Sequence, residues 1–244
     1  MTLLFLCAGF ATRLEPRTLT YPKHLLPFGK KKKLIDFFMD SIENIEDQIT
    51  RKVLITNSKY YDQFKAWNDE NGYGFELIDD GVKSKAEKLG AIGDLLFAIE
   101  KAKIDDDIMI VSPDHVYFKY DFNDLIKVAN NHNASSIIVD EGEEDEMLNG
   151  SCLTLTEDNQ VVKFVEKPKT CFDKWHGGPT YILKKEDIER IKNVPKDKYD
   201  NIGTVGETLS VAGRLYASIF SGELIHLTTE ADYQEALEKY GSKN

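Results

Sequence analysis

The chain is short of the features that would take it out of the ordinary globular class. Only three cysteines, Cys7, Cys152 and Cys171, occur in 244 residues. An odd count without C-x-x-C spacing argues against a disulfide framework or a zinc site, and fits a reducing, cytoplasmic compartment. Seven prolines and no Ser- or Gln-rich tract exclude a low-complexity chain. No apolar run reaches membrane-spanning length, and the apolar start, Leu3 to Ala8, lacks the basic lead of a secretory signal. Positive charge is in deficit: 31 Lys and Arg against 42 Asp and Glu give a net charge of −11. That excludes a generic nucleic-acid or anionic-membrane binder, which needs a summed positive field. Any phosphate handled here has to meet a local cluster of cations.

What is present is a chain long enough to bury one sizeable core, 41% hydrophobic and 30% charged. Strand-length apolar runs alternate with amphipathic runs of helical period, the pattern of a largely parallel sheet covered by helices. Strands are expected at Leu3 to Cys7 and in RKVLIT, FELID, DDIMIVSPD and SSIIVDEG. Helices are expected in KLIDFFMDSIENI, YYDQFKAWNDENG (closed by Gly72), AIGDLLFAIEKA and DFNDLIKVANNH. After residue 150, SCLTLTEDNQVVKFVEKP reads as an antiparallel hairpin turning at Asp158 and Asn159, so the sheet is mixed. KEDIERIKN, TVGETLSVAG and EADYQEALEKYG read as later helices, with LYASIF and ELIHL as short strands between them. The run Lys30 to Lys33 reads as a solvated turn, and the acidic stretch at 140 to 146 as a solvated loop.

The segment CAGFATRLEPRTLTYPKHLLPF, residues 7 to 28, carries the chemistry. A glycine just past a buried strand lets backbone approach a ligand, and amides in such a turn form an anion nest. Gly9 fits that role, and a plain structural turn explains it equally well. A dinucleotide fingerprint is absent, because GFATRL supplies Ala11 and Leu14 where it needs glycine; a Walker A loop is absent too. Arg13 offers a planar fork of donors suited to phosphate, and Lys23 a mobile charge behind Pro22. Singly each would be read as a surface cation. Their spacing inside an apolar segment flanked by Pro16 and Pro27 favours phosphate.

Gly9, Thr12, Arg13, Leu14, Pro16, Thr18, Pro22, Lys23, Leu25 and Pro27 meet the run G-x-x-T-R-L-x-P-x-T-x-x-x-P-K-x-L-x-P. This resembles the signature loop of the sugar-1-phosphate nucleotidylyltransferases, with Ala11 departing from the usual glycine. LGAIGDLLFAI, VSPDH, VVKFVEKP and GGPTYIL resemble further segments of that family in the same order. The resemblance implies an α/β fold, a single-domain Rossmann-like three-layer sandwich with a mixed, mainly parallel sheet and a small antiparallel sugar-side hairpin. Residues 1–115 would form the nucleotide-binding half and 116–244 the sugar-phosphate-binding half.

It further implies condensation of a nucleoside triphosphate with a sugar 1-phosphate, giving an NDP-sugar and pyrophosphate. Arg13 would grip the departing pyrophosphate, Lys23 the reacting phosphates and Lys167 the sugar phosphate. Glu166 would accept from sugar hydroxyls, with Ala8, Gly9, Gly90 and Gly178 against the substrates. Asp114 would hold Mg²⁺, with Mn²⁺ as the alternative. Without the resemblance, Asp114 also reads as a helix N-cap or turn carboxylate, and Glu166 and Lys167 as an exposed hairpin end. Where the family closes its metal site with a second Asp, this chain has His226, a poor magnesium ligand that also reads as structural. Trp175 reads as core packing ahead of a sugar platform. Expected partners are the two substrates, with no nucleic acid and no membrane; base, sugar and oligomeric state are not legible. Rival readings are a non-catalytic nucleotide or sugar-phosphate sensor, a cytidylyltransferase acting on a non-sugar phosphate, and a dinucleotide-binding oxidoreductase, which the missing glycines disfavour.

Overall fold

The structure, a computed structural model, describes residues 1–29 and 32–240. The elements follow in order as β1 (Thr2–Leu6), α1 (Leu34–Ser41), β2 (Arg51–Thr56), α2 (Tyr61–Asn71), β3 (Glu76–Asp79), α3 (Ala91–Ala102), β4 (Ile108–Val111) and β5 (His115–Phe118). Then come α4 (Phe122–His132), β6 (Ser135–Glu141), α5 (Glu144–Asn149), β7 (Ser151–Leu155), β8 (Val161–Glu166) and β9 (Trp175–Leu183). The chain continues through α6 (Ile188–Lys192), α7 (Gly203–Val211), β10 (Leu215–Ile219), β11 (Glu223–His226) and α8 (Glu230–Tyr240).

The main sheet runs β10-β6-β9-β4-β1-β2-β3, with β7 and β8 attached beside β9. Pairs within β4-β1-β2-β3 are parallel; β9 is antiparallel to both β4 and β6, which makes the sheet mixed as expected. Beside it, β5 and β11 form a separate antiparallel ribbon.

Strand β1, TLLFL, is buried along its whole length because both faces are covered. Its period-2 alternation sends Leu4 and Leu6 to one face, where they pack with Ile92, Leu95 and Ile99 of α3. Leu3 and Phe5 go to the other, against Phe38 of α1 and Phe64 and Trp67 of α2. Helices on both faces give the three layers. Removing a side chain the size of Phe5 from water contributes about 2 kcal/mol. A third cluster joins Leu34 and Phe37 of α1 to Val116, Ile225 and Tyr233, tying the β5–β11 ribbon and α8 to the body.

Most predicted elements form where the patterns place them, and Asn159 turns the β7–β8 hairpin with φ 63°. Three readings need correction. The acidic stretch at 140 to 146 is not a loop: β6 runs through Glu141, and α5 starts at Glu144 behind a capping box of Glu143 and Glu146. Carboxylates there complement the positive end of the helix. The helix expected over KLIDFFMDSIENI is α1 only to Ser41, then a 3₁₀ turn over Glu43–Gln48. Strand β9 was hidden by its Gly-Gly-Pro; Pro179 sits where the β6–β9 register shifts, the place a proline is tolerated in a sheet. Of the predicted lysine turn, Lys30 and Lys31 lie outside the described residues; Lys32 pairs with Asp40 at the surface. Cys7, Cys152 and Cys171 are free thiols.

Candidate active site

The site is built where parallel strands end. From the carboxyl end of β1 the chain winds through three 3₁₀ turns, Thr12–Leu14, Arg17–Leu19 and Lys23–Leu25. Buried Leu14 and Leu25 anchor it. The Asn57 amide donates to the Ala8 carbonyl at 2.8 Å, the Tyr60 hydroxyl to that of Thr18 at 2.5 Å, and the Thr18 hydroxyl to that of Ala11 at 2.9 Å. The loop is thus a fixed scaffold. Ala11 takes φ 47°, ψ 45°, a left-handed conformation that costs an L-residue about 1 kcal/mol and glycine little. Ala11→Gly is expected to raise stability by roughly 0.5–1 kcal/mol, read as a higher denaturation midpoint.

This loop, the end of β4 and the start of α3 enclose a cavity of about 400 Å³, lined by Ala8, Gly9, Lys23, Gly90 and Asp114 among others. Lys23 and Asp114, 91 residues apart, form a direct ion pair at its wall, with side chains 21% and 7% exposed. Burial alone would raise the Asp114 carboxyl; the Lys23 ammonium and His115, whose Nδ1 lies 3.3 Å away, outweigh it and hold the group well below the usual carboxylate range. His24, also lining the cavity, is pushed down to about 3 by burial and is neutral. Gly9 needs no unusual φ, and a Cβ there would meet nothing within 4 Å, so a side chain would project into open space. Gly90 is different: its φ is 81°, and a Cβ would fall 2.5 Å from the Tyr199 carbonyl oxygen. That close approach holds α3 against the 199–202 loop, whose Asp200 and Ile202 close the far side of the cavity.

Residues 3–224 match the model of the family described as nucleotidyl transferase. The chain belongs to that family. A mannose-1-phosphate guanyltransferase of Saccharomyces cerevisiae is 28% identical over 197 residues, 79% of this chain and 52% of its own. Mannose-1-phosphate guanyltransferase beta-A of Xenopus laevis is 25% identical over 235 residues, 96% of this chain and 62% of its own. The chain spans between about half and two thirds of the length of the curated relatives it matches. A solved UDP-glucose pyrophosphorylase complexed with UDP-glucose superposes with a TM-score of 0.80 at 19% identity, over 100% of this chain and 99% of that one, a likeness of fold.

Not every residue expected at the site reaches the cavity. Arg13 is exposed beside cavity-lining Thr12, with no hydrogen bond or ion pair among the described residues. Lys167 donates to the Asn201 side chain at 2.6 Å, on the 199–202 loop. Glu166 lies against the start of α7, so close that a Cβ on Gly203 would meet its carboxylate. Burial raises the Glu166 carboxyl to about 7, Lys167 opposing and Glu207 reinforcing the shift. Gly178 is set by packing: a Cβ would lie 2.4 Å from the Tyr117 hydroxyl. His226 stays out of the cavity, cross-strand from His115 and stacked on it at 5.4 Å. Trp175 packs partly buried against the core, with the Lys174 ammonium 4.7 Å above its ring. Sequence reasoning passed over His24, His115, Lys85, Lys88, Asp94 and Asp200, all lining the cavity. The nearest signal was KAEKLG, two lysines just before Gly90.

Proposed function

We propose that this chain condenses a nucleoside triphosphate with a sugar 1-phosphate to give an NDP-sugar and pyrophosphate. The observation that carries the reading is the Lys23–Asp114 pair on the wall of the cavity, beside an unobstructed Gly9. A phosphate oxygen of the sugar 1-phosphate attacks the α-phosphorus. The bond from that phosphorus to the oxygen bridging to the β-phosphate breaks, and pyrophosphate leaves with the electron pair. The nucleophile is already ionised at neutral pH, so catalysis reduces to alignment and charge neutralisation.

In this reading Lys23 exchanges Asp114 for the reacting phosphates, Lys85 adds positive charge along the same wall, Lys88 being paired there with Asp200, and unpaired Arg13 folds over the pyrophosphate. Lys167 takes the sugar phosphate and Glu166 accepts from sugar hydroxyls, with residues 1–115 serving the nucleotide and 116–244 the sugar. Among the described residues no cluster of three or more His, Cys, Asp or Glu suits a metal ion. Asp114 is a hard, ionised oxygen donor, which fits Mg²⁺ or Mn²⁺ completed by substrate phosphates and water. When bound, such an ion neutralises phosphate charge. His226, stacked behind His115, is left outside that role.

Among the described residues no helix is long and apolar enough to cross a membrane; a cytoplasmic setting belongs to this proposal and accords with the free thiols. A coupled pyrophosphate-release assay over a panel of triphosphates and sugar 1-phosphates, in Mg²⁺ and in Mn²⁺, is expected to show release that needs both substrates. Release with no pair would favour the non-catalytic sensor.

A further inference from the structure

Asp94 stands where chemistry needs an explanation. It sits in the first turn of α3 on the apolar stripe with Ile92, Leu95 and Ala98, 8% exposed, and it lines the cavity. Its Oδ1 is buried without a hydrogen-bond partner, and no donor reaches its other oxygen among the described residues. Asp80, at the end of β3, adds a second negative charge nearby. An orphaned buried carboxyl is costly to the fold, so a partner is owed from outside the chain. A phosphate is repelled by it. The adjoining surface of Leu6, Ala8, Gly90 and Ala91 is small and apolar, suited to the flat face of a base.

We infer that Asp94 selects the base of the nucleotide, and that the base it selects is guanine. The inference rests on the cavity's taking a nucleoside triphosphate. Among the common bases, guanine alone presents two adjacent donors, N1–H and the 2-amino group, on its Watson–Crick edge, and a carboxylate is acceptor-only with two oxygens to receive them. The terminal torsion of an aspartate is broad and two-fold, so the buried oxygen turns outward at small cost. Adenine, cytosine and uracil each set an acceptor beside a donor and leave one carboxylate oxygen facing a lone pair. Asp94 here is a specificity residue, remote from the reacting phosphorus.

Equilibrium binding to the full chain without sugar phosphate tests this, by calorimetry at about pH 8, where Asp94 is ionised, with GTP, ITP, XTP, ATP, CTP, UTP and 2′-deoxy-GTP. GTP is expected to bind about a hundredfold tighter than ATP, CTP or UTP. ITP, lacking the 2-amino group, should lose about tenfold, and 2′-deoxy-GTP should match GTP. Asp94→Asn exchanges one acceptor for a donor. It should cost GTP about a hundredfold and make XTP, whose C2 carries a carbonyl, the preferred ligand, a gain that a merely structural role would not give. Equal binding of all bases, a GTP preference unchanged in Asp94→Asn, or a loss confined to 2′-deoxy-GTP would overturn the inference. So would Mg²⁺ or Mn²⁺ alone stabilising the wild type but not Asp94→Asn, which would make Asp80 and Asp94 a cation site. Pyrophosphate release judges the reaction separately: selective GTP binding without release keeps this inference and removes the activity, and base-blind turnover does the reverse.

Discussion

Asp114→Asn is expected to lower turnover by about a hundred- to a thousandfold while the protein stays folded. The substitution keeps the shape of a side chain that is only 7% exposed, so packing survives, and the amide oxygen still accepts from Lys23. What disappears is the negative charge. Asp114 is held ionised by Lys23 and His115 against the pull of burial, and in the proposed reaction that fixed charge would offer a hard oxygen to a divalent cation. Removing one charge-stabilising group in such a site costs about 3–4 kcal/mol of barrier, hence the factor. Weakening the buried pair costs up to about 3 kcal/mol of stability, within the 5–15 kcal/mol typical of a domain. Pyrophosphate release and a circular-dichroism melt on one preparation separate the effects; normal turnover would remove Asp114 from the chemistry.

Asp94→Asn should stabilise the protein, and only at high pH. Burial, reinforced by Asp80, raises the folded-state carboxyl from an ordinary 3.8 to about 7. Below pH 3.8 both folded and unfolded chains carry the proton, and the group costs nothing by this route. Above it the unfolded chain ionises while the folded one holds its proton, so the penalty grows with pH and levels off above 7. Three pH units correspond to about 4 kcal/mol. The neutral amide escapes this but leaves polar atoms unpaired, so a net gain of about 2–3 kcal/mol is expected at pH 8, with little or none at pH 4. In melting temperature that is roughly 4–12 °C for a chain of this size. A native protein carrying so removable a cost is consistent with the carboxyl's serving a ligand. A gain independent of pH, or a loss at pH 8, would contradict the assignment.

The parts of the site legible in sequence are those carried by contiguous residues. The 7–28 loop could be read because its glycine, arginine, lysine and prolines sit at fixed spacing in one segment, and the scaffold holds Lys23 on the cavity wall beside Asp114. Alternation of apolar runs gave the sheet and most helices because both periods are written locally. Contacts made across the fold were not legible. Glu166 lies on Gly203, 37 positions along the chain, and only the packing of α7 on β8 brings them together. His226 looked like a metal-site substitute; the register of β11 against β5 sets it opposite His115, on whose ring it stacks, and it does not itself line the cavity. Asp94 did leave a trace, a carboxylate on the buried stripe of an amphipathic helix. Periodicity marks that position as core; it takes the coordinates to show the core opening there into a cavity.

Phosphorus NMR of the wild-type chain incubated with a nucleoside triphosphate, a sugar 1-phosphate and Mg²⁺ tests the central claim most directly. Equimolar growth of pyrophosphate and of the paired resonances of a sugar nucleotide, abolished in Lys23→Met, is the expected result. Pyrophosphate without a sugar nucleotide, or a spectrum unchanged across the substrate panel, would contradict it.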